Sequence, residues 1–178
     1  MKATQVAESL IYLNRRANGG KMDNLKLNKL LYFAQGSVLA NTGSTLFIDP
    51  IEAWREGPVV PEVYHKYKSF GSNDINIAIE MPQIPLDSIA QLYNIVLEFK
   101  NTSAIYLTRK SHKGDNPWRR AHNDYEGKTI SLEDMIEFFK SDGGKIPTTK
   151  DKLLSFAKIE PAEIKDNKLL VHSSFVVG

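Results

Sequence analysis

Cysteine is absent from this chain of 178 residues. Disulfides, thiolate zinc sites and cysteine nucleophiles are excluded with it. Long apolar runs are missing too, so nothing in the sequence approaches the roughly 18 consecutive apolar residues of a membrane span. The opening MKATQVAESLIYLNRR has neither the apolar core nor the small-residue cleavage site of a signal peptide. These absences lead to the expectation of a cytoplasmic protein with no membrane role. Excess charge is small: 23 bases stand against 21 acids, a net +2, which by itself does not imply nucleic-acid binding.

Catalytic signatures are equally sparse. There is no GxSxG elbow, no Walker loop, no GxGxxG and no HExxH. The four histidines, His65, His112, His122 and His172, do not fall at metal-ligand spacing. His112 and His122, with Asp115 and Asp124 nearby, read as surface or hydrogen-bonding residues. Glu52 and Glu56 could share one side of a strand, but nothing around them supplies the environment that a catalytic carboxylate pair needs. No catalytic residue, metal site or cofactor is expected.

What is present suits one soluble domain: 42% of the residues are hydrophobic and 25% are charged. Charge alternates in blocks. Residues 1–40 hold six bases and two acids, 41–100 four and eight, 101–130 six and three, and 131–178 seven and eight. The surface potential is therefore expected to be uneven, without one dominating basic face.

Apolar spacing predicts a first helix through Val6, Leu10, Leu13 and Ala17, stopped by Asn18-Gly19-Gly20. A second is capped by Asp23 or Asn24 and carries Leu27, Leu30, Leu31, Ala34 and Val38. Tyr32, Phe33 and Leu39 make it apolar nearly all round, the mark of a central helix. Pro61 starts a third, which runs through Tyr64 and Tyr67 to Gly71. Residues 72–86 read as loop. Asp87 is expected to cap a helix with the stripe Ile89, Leu92, Val96 and Phe99. Ser103 can open another, although Ile105, Tyr106 and Leu107 also suit a strand. Pro117 can start a short helix carrying Trp118 and Arg119. Ser131 and Asp134 resemble a capping box ahead of Met135, Ile136, Phe138 and Phe139. After the breaker cluster at 141–147, Leu153, Leu154 and Phe156 suggest a short helix, and KLLVHSSFVVG a strand-like end.

The most unusual stretch is EAWREGPVVPEVYHKYKSFG, residues 52–71. Pro58 and Pro61 push Gly57 and Val60 into extended backbone, which makes a rigid corner. Such a corner loses little entropy on docking. Trp54 and Tyr64 offer large contact area, and Arg55 can pair with acids of a partner. Trp54 suits a core plug as well. Residues 109–120 gather bases around Trp118. They fit a buried tryptophan with solvated bases, a protein interface, or single-stranded nucleic acid.

Three pieces carry a family resemblance: KLNKLLYFAQG at 26–36, EAWREGPVVPEVY at 52–64, and Leu107-Thr108 to Ser111-His112 followed by Pro117-Trp118-Arg119 at a stretched spacing. Over about residues 5–140 the chain resembles the Panacea domain, the family of SocA-like antitoxins and phage-associated GepA proteins. The resemblance implies a mainly α, single compact helical domain. A short extended or β element falls around residues 46–60, and a small C-terminal appendage follows. The expected division is a Panacea-like domain at 1–140 and a C-terminal extension at 141–178. It also implies a non-enzymatic protein that neutralises a cognate toxin, encoded next door, by direct binding. An adaptor handing that toxin to a protease is an alternative, as is a nucleic-acid-binding regulator using residues 109–120. The candidate partner-binding residues are Trp54, Arg55, Glu56, Tyr64, His112, Trp118 and Arg119, with Gly57, Pro58 and Pro61 as architecture.

Overall fold

A computed structural model describes residues 1–141 and, beyond them, the strands Ala162–Lys165 and Lys168–Val171. Among the described residues the chain is mainly helical, as expected. Seven α-helices occur in the order α1 (Ala3–Arg16), α2 (Asn24–Thr42), α3 (Pro61–Tyr67), α4 (Leu86–Phe99), α5 (Ala104–Ser111), α6 (Pro117–Asp124) and α7 (Leu132–Lys140). A short hairpin, β1 (Glu52–Trp54) and β2 (Gly57–Val59), lies between α2 and α3. It falls inside the extended element expected at 46–60.

α2 is the axis. The Asp23 carboxylate accepts from the Lys26 amide at 2.8 Å and caps its start. Gly43 ends it in a left-handed turn. Leu27, Leu30, Leu31, Tyr32, Phe33 and Ala34 are all buried, and α1, α3, α4, α5, α7 and β2 pack around them. Asn24, Lys26, Asn28, Lys29 and Gln35 are buried as well, and each is bonded to backbone. Gln35 accepts from the Leu46 and Phe47 amides and donates to the Phe47 carbonyl. Asn28 accepts from the Val60 amide at 2.9 Å and donates to the Asn24 carbonyl. Lys29 donates to the Pro58 carbonyl at 3.0 Å. Chain from 46 to 60 could not lie against a core helix without these partners, because unbonded backbone groups are costly to bury.

The hairpin pairs Glu52 with Val59, Ala53 with Pro58 and Trp54 with Gly57, leaving Arg55 and Glu56 at its tip. The other edge of β1 is closed by residues 127–130. The Ala53 amide donates to the Lys128 carbonyl, and the amides of Gly127 and Ile130 donate to the Ala53 and Ile51 carbonyls.

Most helix starts follow the sequence signals. Pro61 and Pro117 occupy first turns, and the side chains of Ser103, Asn116 and Ser131 cap α5, α6 and α7. The ambiguous Ile105–Leu107 run is helix, with only Leu107 turned inward. Two details differ from expectation. α4 begins at Leu86 with extended Pro85 at the capping position, so Asp87 lies in the first turn, where its charge faces the positive helix end. At α7 the Ser131 hydroxyl caps the Asp134 amide, but the Asp134 carboxylate turns to Arg120 in place of closing a capping box. The last two strands pair antiparallel. Lys168–Val171 falls in the stretch read as strand-like, whereas its partner carried no clear sequence signal. The helix expected around Leu153, Leu154 and Phe156 lies outside the described residues.

α7 docks on α2 through rings. Phe139 meets Tyr32 edge-on at 5.4 Å and Phe33 at 6.2 Å. Gly36 makes room for it: a Cβ there would stand 2.2 Å from the Phe139 ring. Gly36→Ala is therefore an overpacking change, expected to cost about 1–3 kcal/mol in chemical denaturation. An unchanged midpoint would contradict this docking of α7.

Candidate functional site

Gly57 is the hinge of the site. Its φ of +102° is a conformation that side chains rarely adopt. A Cβ on it would also lie 2.9 Å from Lys29 Cε and 3.0 Å from His112 Nε2. The hairpin backbone thus rests directly on a lysine of α2 and a histidine at the end of α5. Pro58 removes a donor from β2 and leaves its carbonyl to Lys29.

A second clasp comes from α6. The Trp118 indole donates to the Trp54 carbonyl at 2.8 Å. Its ring is stacked between His112 at 3.7 Å and His122 at 4.8 Å, each within 16° of parallel. His122 Nδ1 lies 3.2 Å from the Ala53 carbonyl, and Arg119 donates to the His112 carbonyl at 3.0 Å. Trp118 is only 8% exposed. The structure therefore places Trp118, His112 and Arg119 in the clasp that holds the hairpin.

Trp54, Arg55, Glu56 and Tyr64 come together elsewhere, on a groove of about 310 Å³ beside the hairpin. Leu25 and Val59 also line it, and Lys68 and Glu126 add charge. Trp54 is half-buried, donates its indole N–H to Glu52 at 2.7 Å and meets the Tyr64 ring edge-on at 4.9 Å. Arg55 and Glu56 project into solvent and pair loosely with each other at 3.9 Å. The Arg55 amide is anchored to Glu126 at 3.1 Å. The tip is thus fixed by its backbone while its side chains stay exposed.

Sequence reasoning placed Lys29 in a family motif but gave it no role. It is fully buried. Burial pushes its amine down to about 7, an effect that the charge of Glu56 partly offsets. Burial, then the charge of Lys29, holds the His112 ring below its ordinary value. His112 Nε2 and Thr108 Oγ1 are buried without a hydrogen-bond partner. The available signal was a lysine flanked by Leu27, Leu30 and Leu31 on a helix with no polar face.

The segment 109–120 is less free than its composition suggests. Arg120 bridges Asp115 at 2.9 Å, Asp134 at 2.9 Å and Glu137 at 3.2 Å. With Trp118 inside, its ring is not available to stack on a base. Among the described residues, no group of three or more histidines or carboxylates comes together as a metal site, and no helix is long and apolar enough to cross a membrane.

Lys29 gives the fold a pH dependence of known sign. Its amine loses its proton near pH 7 in the folded chain but near 10.5 when unfolded. Across that window the unfolded state holds the extra proton, so stability rises with pH, with a slope approaching ~1.4 kcal/mol per unit. Lys29→Met is expected to remove this rise in urea titrations between pH 7 and pH 10. Identical slopes for the variant and the parent would refute the assignment.

Residues 27–119, from the first turn of α2 to the start of α6, match the family described as "Antitoxin SocA-like, Panacea domain". Antitoxin SocA of Caulobacter vibrioides (strain NA1000 / CB15N) is 34% identical over 109 residues, which cover 54% of this chain and 58% of that protein. The chain thus aligns with somewhat over half the length of this curated relative. No solved structure matches the chain. The family match takes in the Lys29 contact, the whole hairpin and, of the clasp, His112, Trp118 and Arg119, and the chain belongs to the SocA-like antitoxin family defined by the Panacea domain.

Proposed function

We propose that the chain neutralises a cognate toxin by direct, stoichiometric binding, without catalysis. The groove between the hairpin tip and α3 is its main contact face. The observation that carries this reading is the Arg55–Glu56 tip: its backbone is clamped through Gly57, Trp54 and Glu126, while both side chains are exposed. A fixed backbone loses little entropy on association. Trp54 and Tyr64 supply an aromatic floor of the kind that dominates binding hot spots, and the flanking charges set orientation.

The same features weigh against a nucleic-acid regulator. The tip pairs a base with an acid, and Arg120, the most connected base of the 109–120 segment, already bridges three carboxylates. Handing the toxin to a protease would need a further surface, and the groove alone does not supply one.

The test is co-expression and purification with the product of the neighbouring gene, followed by affinity measurement on variants. Trp54→Ala and Tyr64→Ala are each expected to weaken the complex by at least ~30-fold, about 2 kcal/mol. Arg55→Glu is expected to slow association, with a strong dependence on salt. A complex that forms with unchanged affinity in all three variants would remove the groove from the account. A harmless neighbour that fails to co-purify would remove the toxin.

A further inference from the structure

Among the described residues, α5 leaves an apolar face uncovered. Only Leu107 and Ser111 of its eight residues are buried. Ile105 and Tyr106, consecutive on its outer side, are 63% and 55% exposed. Single exposed apolar residues are ordinary, but neighbouring ones that share a contoured surface mark a contact site. Here each borders a hollow. Ile105 lines one of about 460 Å³ with Lys21, Lys26, Lys100 and Thr102. Tyr106 lines another of about 510 Å³ with Glu98, Phe99 and Lys110.

The charge around this face is mostly of one sign. Lys100 donates to the Ala17 carbonyl and forms no ion pair among the described residues, whereas Lys26 is buried, donates to the Lys100 carbonyl and lies in the field of Asp23. Lys21 is 3.6 Å from Asp23. Arg109 stands one helical turn beyond Ile105, and Lys110 one turn beyond Tyr106. Neither forms an ion pair among the described residues. Glu98 and Asp23 are the acids lining the two hollows.

We propose that the α5 face is a second docking surface, which takes an acidic protein segment bearing an apolar anchor. The anchor would seat against Ile105 and Tyr106, with carboxylates reaching Lys100, Arg109 and Lys110. This matches the anatomy of protein interfaces, an apolar centre inside a charged rim. It fits nucleic acid less well, because the centre holds an aliphatic side chain and one aromatic where a stacking platform would present several. The surface shares no lining residue with the groove proposed for the toxin. The chain would therefore hold two partners, or two parts of one, at once.

The probes are three fluorescein-labelled ligands added to the full chain: a helical peptide with leucine and tryptophan on one face and glutamate on the other, its lysine counterpart, and a single-stranded oligonucleotide. The glutamate peptide is expected to bind saturably and to weaken with added salt. Ile105→Ser and the pair Arg109→Glu, Lys110→Glu should each reduce its affinity at least tenfold. Ile105 and Arg109 are exposed and Lys110 is half-buried, and circular dichroism would verify folding. Ile48→Ser, another exposed apolar position, should leave the affinity unchanged. Equal binding of the lysine peptide, tighter binding of the oligonucleotide, or affinity untouched by the α5 variants would overturn the proposal.

Discussion

The structure depends on a polar seam inside an apolar helix. Asn28, Lys29 and Gln35 sit within the most buried element of the domain, and each hydrogen-bonds the backbone of residues 46–60. An irregular segment normally runs over the surface, where water satisfies its amides and carbonyls. Here the central helix takes water's place. The seam fixes where the hairpin lies, and from that follow the position of α3, the groove beside it and the orientation of the exposed tip. Losing one partner would strand a buried donor or acceptor, which usually costs more than a bond gains.

Lys29 is the exposed-surface residue type least expected in such a seam, and its surroundings are arranged to tolerate it. It has one carbonyl partner, the opposing charge of Glu56 and a neighbouring ring whose protonation burial disfavours. Gly57 allows both the lysine and His112 to touch main chain directly. Trp118, pressed between two imidazoles, closes the far side by bonding to the Trp54 carbonyl. A hairpin of two three-residue strands would be marginal alone. Held by helices α2, α5 and α6, it becomes a rigid mount for Arg55 and Glu56.

Much of the fold was legible because its signals are local. Asp23, Pro61, Ser103, Pro117 and Ser131 mark helix starts that side-chain geometry then realises. Asp87 misled because a carboxylate near a helix start serves the first turn as well as the cap. The trio Ile105–Leu107 was ambiguous since consecutive apolar residues satisfy both periods, and only Ser103 and the packing of Leu107 decide. Within the site, Trp54 and Tyr64 could be associated from sequence because few residues separate them. The contacts of Lys29 with Gly57 and His112, and of Trp118 with Trp54, join distant segments, and no spacing rule encodes them. Trp118 also shows what composition leaves open: aromatics among bases fit a binding stripe or a buried ring, and the fold turns this ring inward.

The proposed activity is occlusion of a toxin by a preformed surface, one molecule for one. The most direct measurement is titration of a fixed quantity of the purified toxin's activity with increasing amounts of this chain. Tight binding predicts a linear fall that reaches its end point at equimolar protein. Complete loss of toxin activity at a small fraction of that amount would mean turnover, and would contradict the claim.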